Sequence, residues 1–566
     1  MATQILQVVK PKSYRTRYPR KLAGKPLLYI ASGLASLGDA LLGYSQGITA
    51  GFQVQPTFIY RIYGETVTHS QISTGTTHVD PRLPAIIICS LCSAAVVSSL
   101  LSPYASDFLG RRQAMQIGAV LYLISSCVQM IAPDFRTLVA GRAIQGLAAG
   151  MISTTSAVYQ VEISPAGSRG MLTGLEALCM NAGYAAASWV AYAFFVDSKA
   201  DHAWRGPFAV QAVVSLVLLV GSFFLPESPR WLLQKGFLTE GLWTLADLHA
   251  GGDVTDEGVN RTYHAIVATL KLDDAARGSR LGAWRDFKNY PRRTRITITS
   301  RMFAQSNGIN AILHFLPEHL AHAGYPIRRS LFYAGVCSLF YSLGPLPAIL
   351  FVDKVGRRRF LIVGSMALAC SLVILGCLQL YIRRWPALHD LSGARGVVFG
   401  VSLYLFFFGA TWGPVPWLIS AELFPLRMRT KGMAIATASD WVFEGVVGIA
   451  TPPLLIKFGG IYYFVLAGAC VFSGFVVWWI YVETCGSPLE VIGGMFGDAL
   501  PSENQIDQED PVLHVQRTRL RLRSVLSMPE IATRSTAVAS HAGTSQITLA
   551  AVPEDGIGGK DAEKNV

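Results

Sequence analysis

Asp107-Phe-Leu-Gly110-Arg111-Arg112 and Asp353-Lys-Val-Gly356-Arg357-Arg358 are one motif written twice, 246 residues apart. Two further signatures recur around it in the same order. Glu162, Pro165 and Arg169 return as Glu422, Pro425 and Arg429 at an offset of 260, and Pro226-Glu227-Ser228 is answered by Val482-Glu483-Thr484 at an offset of 256. Three signatures repeating in one order at nearly one spacing mean that the second half of the chain duplicates the first. Between them lie long apolar runs. A bilayer core needs about 20 apolar residues per helix, and such runs fall at 26–51, 84–105, 114–132, 137–160, 172–196, 204–225, 297–322, 329–352, 360–381, 397–421, 431–456 and 460–482. The motifs follow spans two and eight, four and ten, six and twelve, so each half is a six-span unit. The pattern predicts an all-α membrane protein with twelve transmembrane helices in two parallel six-helix bundles.

The composition of the 566-residue chain agrees, with 51% of residues hydrophobic and only 15% charged. Soluble domains carry roughly 25% charged residues, and the deficit excludes an ordinary cytosolic enzyme. The net charge of +12 is spread over the ends of the spans and is not gathered into a basic domain for nucleic acid. Before the first span stand Lys10, Lys12, Arg15, Arg17, Arg20, Lys21 and Lys25 with no acidic residue. The loops after spans two, eight and ten are short and basic. By the positive-inside rule they mark the cytoplasmic face, and an even number of spans returns the C-terminus to it. The expected organisation is a basic N-terminal tail at 1–25, a first bundle at 26–225, a cytoplasmic insert at 226–296, a second bundle at 297–482 and a tail of disordered composition at 483–566. Within the insert, Leu238 to His249 has an amphipathic helical pattern. The first apolar run begins behind a polar stretch and is too long for a signal-peptide core. Cys89 and Cys92 form a CxxC, but without a second pair or a neighbouring His or carboxylate they are expected to pack between helices and not to hold metal.

The ordered set of motifs resembles the sugar porter family of the major facilitator superfamily, and its fungal members in particular. The likeness runs from about Gly33 to Phe496. It rests on Gly43-Tyr44, Gly141-Arg142, Trp204-Arg205, Gln305 to Asn310, Gly413 to Trp417 and the repeated charge motifs. Its most specific parts are Pro226-Glu-Ser-Pro-Arg-Trp-Leu232 and Gly308-Ile-Asn-Ala311. The resemblance implies a substrate held near the bilayer midplane between the halves, bound by amides on spans five and seven and a Trp on span ten. Gln305 and Asn310 stand at the span-seven amide positions and Trp417 at that of the stacking aromatic. The chemistry fits a sugar, whose hydroxyls donate and accept while its C–H face is apolar. Gln305 and Asn310 are about 140° apart round a helix, so they share a cavity only if that helix breaks, and Gly308 lies between them. At the cytoplasmic ends, Asp107, Arg111, Arg112, Glu162, Arg169 and Glu227 in the first half and Asp353, Arg357, Arg358, Glu422, Arg429 and Glu483 in the second are expected to gate the inner mouth. Exposed pairs contribute about 0 to 1 kcal/mol each, which suits a gate that breaks in every cycle.

Several positions depart from the family pattern. Ala177 stands where span five usually has Gln, Ala304 where span seven has the first of two, His314 where a Tyr follows, and Tyr341 where span eight has Asn. Span eleven carries Asp440-Trp441 and Glu444, with both carboxylates on one helical face. Asp440 and His314 thereby join the candidate substrate ligands. Proton-coupled members have an Asp where Ser45 stands, near a span-four Arg that is here Arg142. A serine cannot titrate in the physiological range, while Arg142 in a membrane needs a partner. Glu176 is one candidate for that role, and Asp440 and Glu444 are others for taking up a proton. Asp39, about 120° round the helix from Ser45, does not simply replace it. Uniport and relocated proton symport both fit this pattern. The expectation is a plasma-membrane transporter of a monosaccharide or polyol working by alternating access, with quinate or an oligosaccharide as rival cargo and a non-transporting nutrient sensor as the rival of another class. No nucleotide loop, metal cluster or nucleophile with its base supports an enzyme. The expected partners are the small-molecule substrate and membrane lipid, without cofactor or nucleic acid.

Overall fold

The computed structural model describes residues 23–64, 80, 82–197, 202–275, 287–288, 290–384, 391–425, 428–485 and 496. The first bundle comprises α1 (Lys25–Gln53), α2 (Arg82–Leu109), α3 (Arg111–Ile131), α4 (Phe135–Ile163), α5 (Arg169–Asp197) and α6 (His202–Ser222). Three helices follow in the insert, α7 (Pro229–Gln234), α8 (Leu238–His249) and α9 (Glu257–Ala275). The second bundle is more interrupted. It runs through α10 (Pro291–Ser306), α11 (Ile309–Leu313), α12 (Leu316–His322), α13 (Ile327–Leu343), α14 (Pro345–Val355), α15 (Arg357–Arg384), α16 (Leu391–Ala410), α17 (Pro414–Glu422), α18 (Arg429–Phe458) and α19 (Ile461–Ile480). Nine helical runs among the described residues are long and apolar enough to cross a membrane. The other runs at the apolar stretches are α4, α5 and the broken α10–α12, which bury polar residues such as Gln145, Gln160, Glu176 and Arg301 inside the protein. Outer faces are apolar and exposed, as with Val213, Leu216, Val217 and Val220 on α6, an arrangement that suits hydrocarbon and not water.

Helix approach in lipid depends on small residues, and α1 and α5 use them heavily. A Cβ on Gly43 would overlap the Met180 carbonyl oxygen, and one on Gly183 would overlap that of Ala40. One and two turns on, Gly47 and Gly51 leave 2.7 Å between a notional Cβ and the Cβ atoms of Ala187 and Ala191. The two bundles meet along two seams, α2 against α18 and α5 against α13 and α14. At the second seam Asn181 donates to the Tyr341 carbonyl at 2.9 Å and Tyr184 to that of Leu313 at 2.8 Å.

The repeated charge motifs gather at one end of the molecule, the basic end. Gly110 and Gly356 adopt φ of +108° and +99°, a region that favours glycine, and the space where each would carry a Cβ is filled by Glu227 and Glu483. Glu227 accepts from the N–H groups of Arg111 and Arg112 at 2.8 and 3.3 Å, and Glu483 accepts from those of Arg357 and Arg358 at 2.9 and 3.1 Å. Each glutamate thus caps the helix that follows its motif, α3 or α15, where unpaired N–H groups and the helix dipole favour an anion. Arg111 forks onto Glu162 at 3.0 and 3.1 Å, and Ser228 donates to the same carboxylate at 2.6 Å. The second half repeats this. Arg357 contacts Asp353 at 2.9 Å and Glu422 at 3.4 Å, while Thr484 donates to Glu422 at 2.8 Å.

At the basic end, links among the described residues also cross between the bundles. Arg169 pairs with Glu422 at 3.1 Å, Asp353 accepts from the N–H groups of Gly170 and Met171 at 3.2 and 2.9 Å, and Thr430 donates to Asp107 at 3.1 Å. Arg429 lies in electrostatic reach of Glu162. The expectation of exposed, individually weak pairs is corrected here. Arg111, Glu162, Arg169, Arg357, Glu422 and Arg429 are each 2% exposed or less, because the insert and both bundles close over them. The backbone N–H groups of Arg112 and Arg358 bind the capping glutamates, and the Arg358 guanidinium turns to the Trp478 carbonyl within its own bundle. The insert is fastened to the same end by Trp231, which donates to the Asp107 carbonyl at 3.1 Å. His249 bonds the Ile163 carbonyl at 2.9 Å, with burial pushing its imidazole pKa down.

Two outcomes follow for stability. Gly43→Val places side-chain atoms inside a backbone contact and is expected to cost about 3 kcal/mol or more, read as loss of the monodisperse peak in fluorescence-detected size exclusion. Gly33→Ala, which meets nothing within 4 Å, leaves that peak intact. Glu422→Gln strips the charge that serves two buried guanidinium groups, a loss of about 3–5 kcal/mol that lowers the thermal transition in detergent. Glu257→Gln, in the exposed pair with Arg261, leaves the transition in place.

Candidate functional site

Between the bundles lies a cavity whose empty space, together with the solvent it opens to, amounts to about 860 Å³. Its second-bundle wall depends on a broken helix. α10 stops at Ser306, Gly308 takes φ +99°, and α11 restarts at Ile309. Backbone freed by such a break must be satisfied inside the protein, and Asn307 is held on both counts. Its carbonyl accepts from Tyr404 at 2.9 Å and its side-chain oxygen from Ser473 at 3.1 Å. The break turns the residues on either side toward one space. Asn310 donates to Gln305 at 2.8 Å, Gln305 donates to Asp440 at 3.1 Å, and all three line the cavity. The Asn310 side-chain oxygen is buried without a donor among the described residues.

The aromatic side comes from the turn between α16 and α17. Trp412 is fixed by a 3.0 Å hydrogen bond to Ser365, and the half-buried Trp417 follows Pro414 and Pro416 on α17. The Trp417 ring is covered by the Arg301 guanidinium, whose central carbon lies 3.6 Å from the ring centroid, a cation–π stack. Arg301 is 1% exposed, lines the cavity, and its Nε and one terminal nitrogen have no hydrogen-bond acceptor among the described residues. It was not among the residues singled out from sequence. The signal was present, since an arginine inside an apolar span is a functional candidate by default.

Glu444 accepts from Gln46 on α1 at 3.3 Å and from His314 at 3.1 Å, a link between bundles. Asp39 and Glu176 also line the cavity, and their carboxyl groups lie within hydrogen-bonding reach of each other. Glu176, one candidate partner for Arg142, faces Asp39. Arg142 instead donates to Gln145 at 3.0 Å and lies over the Phe52 and Phe208 rings at 5.0 and 5.7 Å. It opens onto a second, smaller cavity of about 270 Å³ shared with Ser45, His314 and Glu444. Ser45 turns back onto its own helix, donating to the Leu42 carbonyl at 2.9 Å. Helix periodicity places Asp39 away from Ser45, and that same rotation brings it to Glu176.

Such a cavity, walled by two bundles and closed at the basic end by buried ion pairs, suits a small polar solute held between two half-molecules. An MFS-type transporter, criB, of Aspergillus cristatus is 28% identical over 84% of this chain and 94% of its own length. A high-affinity glucose transporter of Kluyveromyces lactis is 29% identical over 74% of this chain and 78% of its own. The fold matches that of the proton:xylose symporter XylE of E. coli bound to 6-bromo-6-deoxy-D-glucose, with a TM-score of 0.70 at 23% identity, over 83% of this chain and 98% of that one. The family model for sugar (and other) transporters covers residues 31–496, from the first helix to beyond the last, and the chain belongs to that family.

Proposed function

We propose that this protein carries a monosaccharide or a polyol across the membrane by alternating access, binding it in the central cavity. The observation that carries the reading is the unserved side-chain oxygen of Asn310, buried beside Gln305 and Asp440 on the cavity wall. Buried polar atoms are almost always satisfied, and a substrate hydroxyl supplies the missing donor. Trp412, on the cavity wall, offers apolar surface for the C–H face of a ring. The likeness to a glucose transporter and to a xylose symporter supports a sugar-like cargo. The basic residues before the first span and along the charge motifs support a multi-pass protein with the basic end and both termini in the cytoplasm, which this reading places in the plasma membrane. In that orientation the buried charge network is the inner gate, and the cavity is shut off from the cytoplasm in this conformation. The protein acts without enzymatic chemistry or cofactor.

Arg301 supports a second reading. A guanidinium in the cavity with uncommitted N–H groups matches a carboxylate, which favours a carboxylated polyol such as quinate. Reconstitution of the full chain with labelled sugars, polyols and quinate separates the two. Saturable uptake of a neutral sugar or polyol is expected, with Asn310→Ala and Gln305→Ala each raising KM about tenfold for the loss of one hydrogen bond. Uptake of quinate alone, lost in Arg301→Ala, would establish the second reading. If no compound crosses, the chain is not a transporter of this class and the sensor reading gains.

A further inference from the structure

We propose that Asp39 on α1 and Glu176 on α5 form a proton-carrying site, one carboxyl pair that holds a single shared proton while the basic end is closed and releases it as the cavity changes sides. The proposal rests on the transport reading above and assigns to these two residues the coupling that Ser45 cannot provide.

Each residue is 7% exposed, and their carboxyl groups are within hydrogen-bonding reach. Ser156 donates to one Asp39 oxygen at 3.0 Å. The other Asp39 oxygen and one of Glu176 have no hydrogen-bond donor among the described residues. Two carboxylates in contact and out of water cannot both be ionised, because the repulsion exceeds what their surroundings return. A proton between them converts that repulsion into a charge-assisted O–H···O bond. The other two carboxylates of the cavity differ. Asp440 accepts from Gln305, and Glu444 from Gln46 and His314, so neither is paired with a second carboxyl group in these contacts.

The groups facing the pair come from several helices. Tyr122 lies on α3 and Cys179 on α5 within electrostatic reach. Arg301 on α10 faces Glu176 from the opposite bundle, with Asp440 on α18 beyond it. Arg301 is the single Lys or Arg among the described residues that line the cavity. Loss of the shared proton leaves a second negative charge, with Arg301 in electrostatic reach on the other half of the molecule. Protonation therefore sets how strongly the bundles attract across the substrate space. The proton arrives from water on one side, rides as a carboxyl O–H and departs to water on the other, with no other group required to change charge.

Two measurements on the reconstituted full chain test this. Infrared difference spectra of wild type at neutral pH are expected to show a protonated-carboxyl band that Asp39→Asn and Glu176→Gln each remove. Its absence from wild type overturns the proposal whatever the cargo. In proteoliposomes, a sugar that exchanges by counterflow is expected to draw protons with it, reported by an entrapped pH dye. Its accumulation should approach about tenfold per unit of imposed pH gradient, the limit for one proton. Each variant is expected to retain measurable exchange while losing proton movement and accumulation. Gradient-driven accumulation that survives both substitutions, or wild-type exchange that moves no protons, overturns the proposal and leaves the transport reading intact. A chain that exchanges no sugar at all sinks the transport reading, and the infrared band then decides the pair alone.

Discussion

A carboxylate held against the first turn of a helix recurs at the basic end, and the architecture depends on it. Helix N-termini present unpaired N–H groups and a partial positive charge. Glu227 and Glu483 meet those of α3 and α15, Asp353 meets that of α5, and Asp107 reaches the first turn of α18 through Thr430. The first two fasten helices within their own bundles and stay put in any rigid-body motion. The last two reach from one bundle to the other. The same device therefore both builds each half and latches the halves together, and only the second set has to part for the passage to open. The glycine of each motif is explained by this geometry, since a side chain there would displace the capping glutamate.

The repeat, the helical runs and the charge motifs could all be read from the chain, because each depends on local periodicity or on spacing within one half. The serine of Pro226-Glu227-Ser228 and the threonine of Val482-Glu483-Thr484 take equivalent positions, donating to Glu162 and Glu422. Sequence alone misjudged their surroundings. Burial of the arginines depends on the insert and both bundles folding over them, a three-body arrangement that no spacing reports. The helix break between Gln305 and Asn310 was suggested by Gly308, while its support by Tyr404 and Ser473 comes from residues about a hundred or more positions away.

Inside the cavity the partners were harder to read. Glu176 invited pairing with Arg142 because the chain offers few intramembrane charges, yet α5 turns it toward α1. Arg142 finds amide and aromatic partners instead, at the mouth of a separate small space. Arg301 occupies the face of Trp417, so a ring expected to be bare for stacking already carries a cation. These are facts of relative helix rotation, which depend on which small residues let two helices touch.

That touching has a mechanical consequence. Gly43 and Gly183 let α1 and α5 meet backbone to backbone, leaving no slack for one to slide or roll on the other. The pair behaves as a single girder, with Asp39 and Glu176 riveted to it at constant separation. Whatever alters their ionisation between one face of the membrane and the other must therefore be delivered from outside the girder, by water entering the cavity or by the approach and retreat of the half that bears Arg301.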